Sequence, residues 1–235
     1  MTTGAKDVVI VGGGIVACLT GYILGRQGYK VTILEADSLG SHASGFAFGG
    51  LDPLTGIGLP EPLLEFSLWC YGRHRGLARE LHEATGIDVG FELRDRLHLA
   101  FTEEEAAESK KNIEWMKDVG GFNVEWVDTA GALQLEPQVS PECIGALFEQ
   151  SPGALEPYRF ILAAMRAAEQ YGVEMVQRRA VGLITDGDKC TGVELENETI
   201  SAGIVVLAMV PWTGLASEWC GVNIPVTPLR GQILR

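Results

Sequence analysis

Residues 8–35, VVIVGGGIVACLTGYILGRQGYKVTILE, decide the fold. Val8 to Val11 are an unbroken apolar run of the kind that a parallel strand buried on both faces requires. Gly12 then permits a tight turn, and Gly14, lacking a Cβ, lets the backbone approach a pyrophosphate closely. A helix beginning near Gly14 would turn its free N–H groups and positive dipole end towards those phosphates. Ala17 takes the sixth motif position, the small Gly21 lets the helix lie close on the sheet, and Gly28 marks the helix exit. The second strand, Lys30 to Leu34, ends at Glu35, 21 residues beyond Gly14. A carboxylate there accepts hydrogen bonds from the hydroxyls of an adenosine ribose and disfavours a phosphorylated one. A glycine-rich turn alone is a weak signal; strand, turn, helix, strand and acid at this spacing identify a dinucleotide-binding unit.

The composition around this segment is that of a globular chain. With 235 residues, 46% of them hydrophobic and 21% charged, it forms one large α/β domain or two modest ones, either with a real core. A formal charge of −13 argues against nucleic acid, anionic membrane surfaces and polyanions as partners, while leaving small substrates open. No apolar run is long enough to span a bilayer, and MTTGAKD lacks the basic and apolar regions of a secretory signal, so a cytoplasmic location is expected. Cys18, Cys70, Cys143, Cys190 and Cys220 show no CxxC spacing and are odd in number, which suits free thiols in a reducing compartment. His42, His74, His82 and His98 show no paired ligand spacing, so no metal site is expected.

After Glu35 the stretch SLGSHASGFAFGGLDPLTGIGLP has neither helical period nor strand alternation and reads as a long functional loop. Residues 62–85 carry Leu63, Phe66, Cys70, Leu77 and Leu81 on one stripe of an amphipathic helix ended by Gly86, with Arg73, His74 and Arg75 on a solvated face. Two short extended stretches between Val89 and Phe101 flank a polar turn at Arg94–Arg96. Thr102 with Glu105 is a capping box that opens another helix, closed by Gly120 and Gly121. WVDTAGALQLEP and the proline-containing stretch behind it suggest irregular structure, a short helix and return strands. Residues 158–171 form a helix that buries Phe160, Ile161, Ala164, Met165 and Ala168. Strands follow at Val173–Val176, Ala180–Thr185 and Thr191–Leu195, the last two joined by a hairpin at Asp186–Gly187, and then at Ile204–Ala208.

Taken in order, the fingerprint, the loop SHASGFAFGGL, the LEP at Leu135–Pro137, GALEPYRFILAAM, RRAVGLITDGDKCTGVEL, IVVLAMVPWTG and VTPLRGQILR give the chain a specific likeness. It resembles the FAD-dependent amine and amino-acid oxidoreductases related to glycine oxidase, sarcosine oxidase and D-amino-acid oxidase. That resemblance implies an α/β fold: a Rossmann-like FAD-binding domain with a parallel central sheet from residues 1–87 and 151–222, and an inserted α+β substrate domain from 88–150 and 223–235. It implies that Gly12, Gly14, Ile15 and Val16 line the FAD pyrophosphate and that Glu35, with Ala36 beside it, holds the adenosine ribose. Ala43 and Ser44 match positions at the phosphates and ribityl chain, Phe48, Gly49 and Gly50 the segment beneath the flavin ring, and Val181 a backbone partner of adenine. The resemblance further implies that the chain ends early, at Arg235, before the segment that would grip the substrate carboxylate and close over the flavin; no residue here takes the role of that missing arginine.

One position departs from the resembled pattern. Val210 stands where a glycine is expected to pass close to the cofactor, so that either the backbone shifts locally or the FAD fit changes. Trp212 is expected in core packing and His42 in a loop or surface role. The implied activity is oxidation of the C–N bond of a small amine or amino acid by hydride transfer to flavin N5, which needs no nucleophilic triad or reactive cysteine. Two alternatives stand beside it: a non-catalytic FAD-binding subunit or fragment completed by a partner or further segment, and an NAD-binding dehydrogenase, disfavoured by the long loop after Glu35 and the late hairpin.

Overall fold

The computed structural model describes residues 7–55, 62–150 and 152–233. The first six residues, the 56–60 part of the long loop with Glu61, Ser151 and the last two residues of the VTPLRGQILR phrase lie outside them. The chain divides into two compact units, one drawn from residues within 1–48, 77–89 and 156–235, the other from 49–76 and 90–155.

The chain begins with β1 (Asp7–Val11), α1 (Ile15–Arg26) and β2 (Lys30–Glu35), followed by β3 (Gly50–Leu51), α2 (Leu64–Thr85), β4 (Glu92–Leu93) and β5 (Arg96–Ala100). Next come α3 (Glu103–Met116), β6 (Asn123–Asp128), α4 (Thr129–Leu135), β7 (Gly145–Gln150), β8 (Gly153–Ala154) and α5 (Pro157–Glu169). The remainder holds β9 (Glu174–Gln177), β10 (Ala180–Asp186), β11 (Lys189–Leu195), β12 (Thr199–Ser201), β13 (Ile204–Leu207), a 3-10 turn at Val210–Ala216 and α6 (Ser217–Cys220).

In the first unit a parallel sheet runs β13-β1-β2-β9. Val8 to Val11 lie at its centre, all buried, because β2 pairs on one side (Ile10↔Ile33) and β13 on the other (Ile10↔Val206). One face is covered by α1, against which α5 packs. Gly21 and Gly25 let α1 approach: a Cβ on Gly21 would stand 3.0 Å from Ile33 Cδ1, and one on Gly25 2.7 Å from Val173 Cγ2. On α5 the residues Phe160, Ile161, Ala164, Met165 and Ala168 are buried as the helical period requires. The opposite face packs on the antiparallel β10-β11-β12 sheet through Val9, Val11, Leu34, Val193 and Leu195. Each such aliphatic side chain contributes about 1.5–3 kcal/mol of burial. The β10–β11 hairpin turns through Gly187 at φ +58°, where glycine carries no Cβ conflict.

The second unit centres on the antiparallel sheet β5-β7-β6, with α3 against it, and on a small β3-β8-β4 sheet. Its core gathers Leu54, Ile113, Met116, Val124 and Leu147, with Leu64 and Leu68 of α2 packed on them. Thr102 and Glu105 form the expected capping box at the start of α3. The expected stripe on α2 is rotated in its first turns: Leu64 and Leu68 face the core, whereas Phe66 (64% exposed) and Trp69 (63%) stack on each other outside it. Positions two residues apart lie on opposite sides of a helix, so one face cannot bury both Leu64 and Phe66.

Candidate functional site

A cleft of about 360 Å³ opens in the first unit at the carboxyl ends of β1 and β2, where doubly wound sheets place their ligands. Its floor is the Gly12–Gly14 turn. Gly12 has φ +116° and lies so close to the end of β13 that a Cβ would stand 2.4 Å from the Ala208 carbonyl oxygen. A Cβ on Gly13 would meet Glu35 Oε2 at 2.7 Å, and one on Gly14 would meet Ser44 Oγ at 2.8 Å. Three successive residues without side chains therefore leave the backbone itself as the surface of the floor.

Gly14 caps α1 with no side-chain hydrogen bond, and the first turn of α1 holds no acid. No acid of the helix itself therefore neutralises its positive end, and the carboxylate at this turn comes from Glu35 of β2. Ser44 Oγ accepts the Ile15 N–H at 3.3 Å and draws the 41–44 loop against this end. Glu35 is held by two backbone donors, the Gly13 N–H at 2.5 Å to Oε2 and the Asp37 N–H at 2.8 Å to Oε1. A carboxylate offers about four acceptor sites, so two remain for a ligand.

The side wall carries charge. Arg178 N–H donates to the Glu35 carbonyl at 2.8 Å, which fixes the chain leaving β9 beside the end of β2. Arg179 Nη2 then lies 3.8 Å from Asp37 Oδ1, while Asp37 Oδ2 is 2.6 Å from His42 Nε2. The His42 ring meets the Trp212 ring edge-on at 4.7 Å. Trp212, expected in the core, is 40% exposed and lines the cleft, because the 3-10 turn after β13 carries it over the loop. Donor atoms of Glu35, Asp37 and His42 lie within 4.8 Å of one another. Each is already engaged by protein partners, the Glu35 oxygens by amides and Asp37 by His42 and Arg179.

Of the residues expected from the sequence, Gly12, Gly14, Glu35, Ala36, Ala43 and Ser44 line this one cleft. Ile15 and Val16 form the first turn of α1 directly behind Gly14. Val181 lies on β10, one residue past Ala180, the last of that segment on the wall. Phe48, Gly49 and Gly50 are outside the lining; Gly49 has φ +87° and Gly50 pairs with Ala154 in the β3–β8 ladder. Sequence reading missed Asp37, Arg178 and Arg179. Only the parallel pairing Glu35↔Gln177 brings the arginines to the cleft, and no local pattern announces it.

Parallel sheet, glycine floor, helix N-terminus and terminal acid define a Rossmann-type α/β fold. Residues 7–235 match the FAD dependent oxidoreductase (DAO) family, and the chain belongs to it. It is 29% identical to the glycine oxidase of Geobacillus kaustophilus over 98% of this chain and 61% of that protein. Against the sarcosine oxidase subunit beta of an Arthrobacter species the figures are 29%, 97% and 57%. The crystal structure of the Geobacillus kaustophilus glycine oxidase superposes with a TM-score of 0.87 at 28% identity, over 96% of this chain and 61% of that one. The chain therefore spans about three-fifths of the length of these relatives. Among the described residues no helix is long and apolar enough to cross a membrane.

Proposed function

We propose that this chain binds FAD in the cleft and serves in the oxidation of the C–N bond of a small amine or amino acid. The observation that carries the reading is the convergence of the bare Gly12–Gly14 floor, the open end of α1 and the Glu35 carboxylate on one cleft. In it the backbone of Gly12 and Gly14 and the N–H groups of Ile15 and Val16 take the pyrophosphate. Glu35 accepts from the adenosine ribose with Ala36 beside it, and Ala43 and Ser44 lie along the phosphates. The backbone of Val181 pairs with adenine, and Phe48, Gly49 and Gly50 serve the flavin end. FAD, when bound, supplies the acceptor for hydride from the substrate carbon at its N5. The protein's part is to hold the dinucleotide in one register and to keep the Glu35 side of the cleft free of a phosphorylated ribose. Membership of the FAD dependent oxidoreductase family supports the cofactor, and the five free cysteines suit a reducing, cytoplasmic setting.

A second reading is favoured by one fact: the chain matches about three-fifths of its relatives' length, one of them itself named a subunit. On that reading it holds FAD as part of a larger assembly and turns over substrate only with a partner or further segment. The visible spectrum tests the first step, since oxidised flavin bound to purified protein is yellow; a protein that stays colourless and takes up no added FAD would overturn both readings. Anaerobic bleaching of the bound flavin by a panel of amines and amino acids then separates catalyst from carrier.

A further inference from the structure

Val210 is the one non-glycine residue with positive φ among the described residues, at +42°. Left-handed backbone is least tolerated by β-branched side chains. Val210 also precedes Pro211, and a proline ring pushes the residue before it towards extended backbone. Two steric rules are thus broken at one residue, and its neighbours explain how it is held. On one side the Ala208 N–H donates to the Val11 carbonyl at 2.8 Å, and the Ala208 carbonyl lies against Gly12. On the other the Trp212 N–H donates to the Met209 carbonyl at 3.1 Å, and the Trp212 ring rests on His42. The Val210 side chain gains little packing in return, being 47% exposed on the cleft wall. Strain of this kind gathers at ligand clamps, where surrounding contacts over-determine the backbone.

We infer that Val210 is a strained wall residue that sets the affinity of the cleft for its dinucleotide. The wall that meets the ligand needs a left-handed residue at 210. Valine adopts that state unfavourably: the free protein keeps part of the strain, as the φ of +42° shows, and sheds the rest when the Met209–Trp212 turn shifts on His42. The affinity statement rests on the FAD reading above; the strain statement does not.

The test uses the full chain as wild type, Val210→Gly and Val210→Ala, with thermal midpoints measured without cofactor and FAD affinity by titration of flavin fluorescence. A glycine substitution ordinarily destabilises by loosening the unfolded chain. Here Val210→Gly is expected to raise the cofactor-free midpoint and to tighten FAD roughly tenfold. Val210→Ala shortens the side chain but keeps a Cβ in left-handed backbone, so it recovers only a minor part of both gains. Equal gains in the two variants would assign the effect to side-chain bulk and overturn the inference, as would a Val210→Gly midpoint at or below wild type. If none of the three takes up FAD, the cofactor reading fails and the affinity statement with it, while the midpoints still decide the strain.

Discussion

Glu35 buttresses the Gly13 backbone: its Oε2 accepts the Gly13 N–H at 2.5 Å, and the residue is only 9% exposed. The acid that ends β2 is therefore a structural member of the glycine turn as well as a candidate ligand group. Glu35→Ala strands two amides, those of Gly13 and Asp37, and is expected to cost about 1–3 kcal/mol before any cofactor is added. Glu35→Gln keeps one acceptor oxygen and loses less. Urea unfolding of the cofactor-free protein reads both; equal stability of Glu35→Ala and wild type would show that the carboxylate acts on the ligand alone.

Gly12 and Gly28 share positive φ but differ in what surrounds them. A Cβ on Gly12 would stand 2.4 Å from the Ala208 carbonyl, whereas one on Gly28 would meet nothing within 4 Å. Gly28→Ala is thus expected to show only the left-handed penalty of about 1–2 kcal/mol. Gly12→Ala adds displacement of the β13 end and should cost more than about 3 kcal/mol or prevent folding. Thermal melts of the two variants settle the order, and a Gly28→Ala loss as large as that of Gly12→Ala contradicts it.

Glu149 is wholly buried on the central strand β7, and its carboxylate accepts no hydrogen bond from the described residues. Across the ladder stands Arg96, which pairs with Asp52, and His98 Nε2 lies 3.8 Å away. Burial lowers the Arg96 pKa from its ordinary value, and Glu149 opposes that shift. Replacing a whole buried ion pair by apolar residues of similar size is often neutral or stabilising, whereas removing one partner costs in proportion to the buried charge it leaves uncompensated. Glu149→Leu leaves Arg96 its Asp52 partner and removes a carboxylate without hydrogen bonds from the described residues, so it is expected to be neutral or stabilising, whereas Arg96→Met strands Glu149 and Asp52 and is expected to destabilise by about 3–5 kcal/mol. The double variant should recover much of the Arg96→Met loss; simple additivity in chemical denaturation would show that the two side chains are not coupled.

Cys18 lies on the buried face of α1, and its thiol is pushed up to about 12, first by burial and then by the charge of Glu35. The thiol thus stays protonated in the fold while the unfolded chain ionises near its ordinary value of 9.0. Its contribution to stability is complete below about pH 9 and is lost as the pH rises towards about 12. Tyr22, raised by burial and by its hydrogen bond to Glu80, adds in the same direction. Cys18→Ala should flatten the alkaline fall without abolishing it, in denaturation curves taken across that range. In the native protein Cys18 should resist iodoacetamide, and rapid labelling at mildly alkaline pH would contradict its burial.

Much of this architecture can be read along the chain where one segment specifies itself. The β1–α1–β2 unit, the Thr102–Glu105 box and the Asp186–Gly187 turn each depend on residues a few positions apart, so local sterics and hydrogen bonding suffice. Glu35 was legible for the same reason, as the end of a strand at fixed distance from a glycine turn. Arg179 and Trp212 were not, because their place on the wall depends on β9 joining β2 and on the turn that leaves β13. Sequence flagged Val210 as out of place, and its φ of +42° shows the cause in the backbone. Phe66 obeyed the helical period on paper, yet the core of its unit selected Leu64 and Leu68.

The pairing of β1 with β13 aligns Val8 with Ile204, positions 196 apart in the sequence (204 − 8). β1 therefore gains this neighbour only after the 196 further residues up to Ile204 have been made. Contacts this distant close late and slowly, since the intervening chain loses entropy before the ladder forms. On a ribosome, the glycine turn would emerge early and wait for Ala208 to complete its floor. A ligand that binds only this finished arrangement draws the folding equilibrium towards it by mass action, so the supply of such a ligand during synthesis would govern yield as well as occupancy.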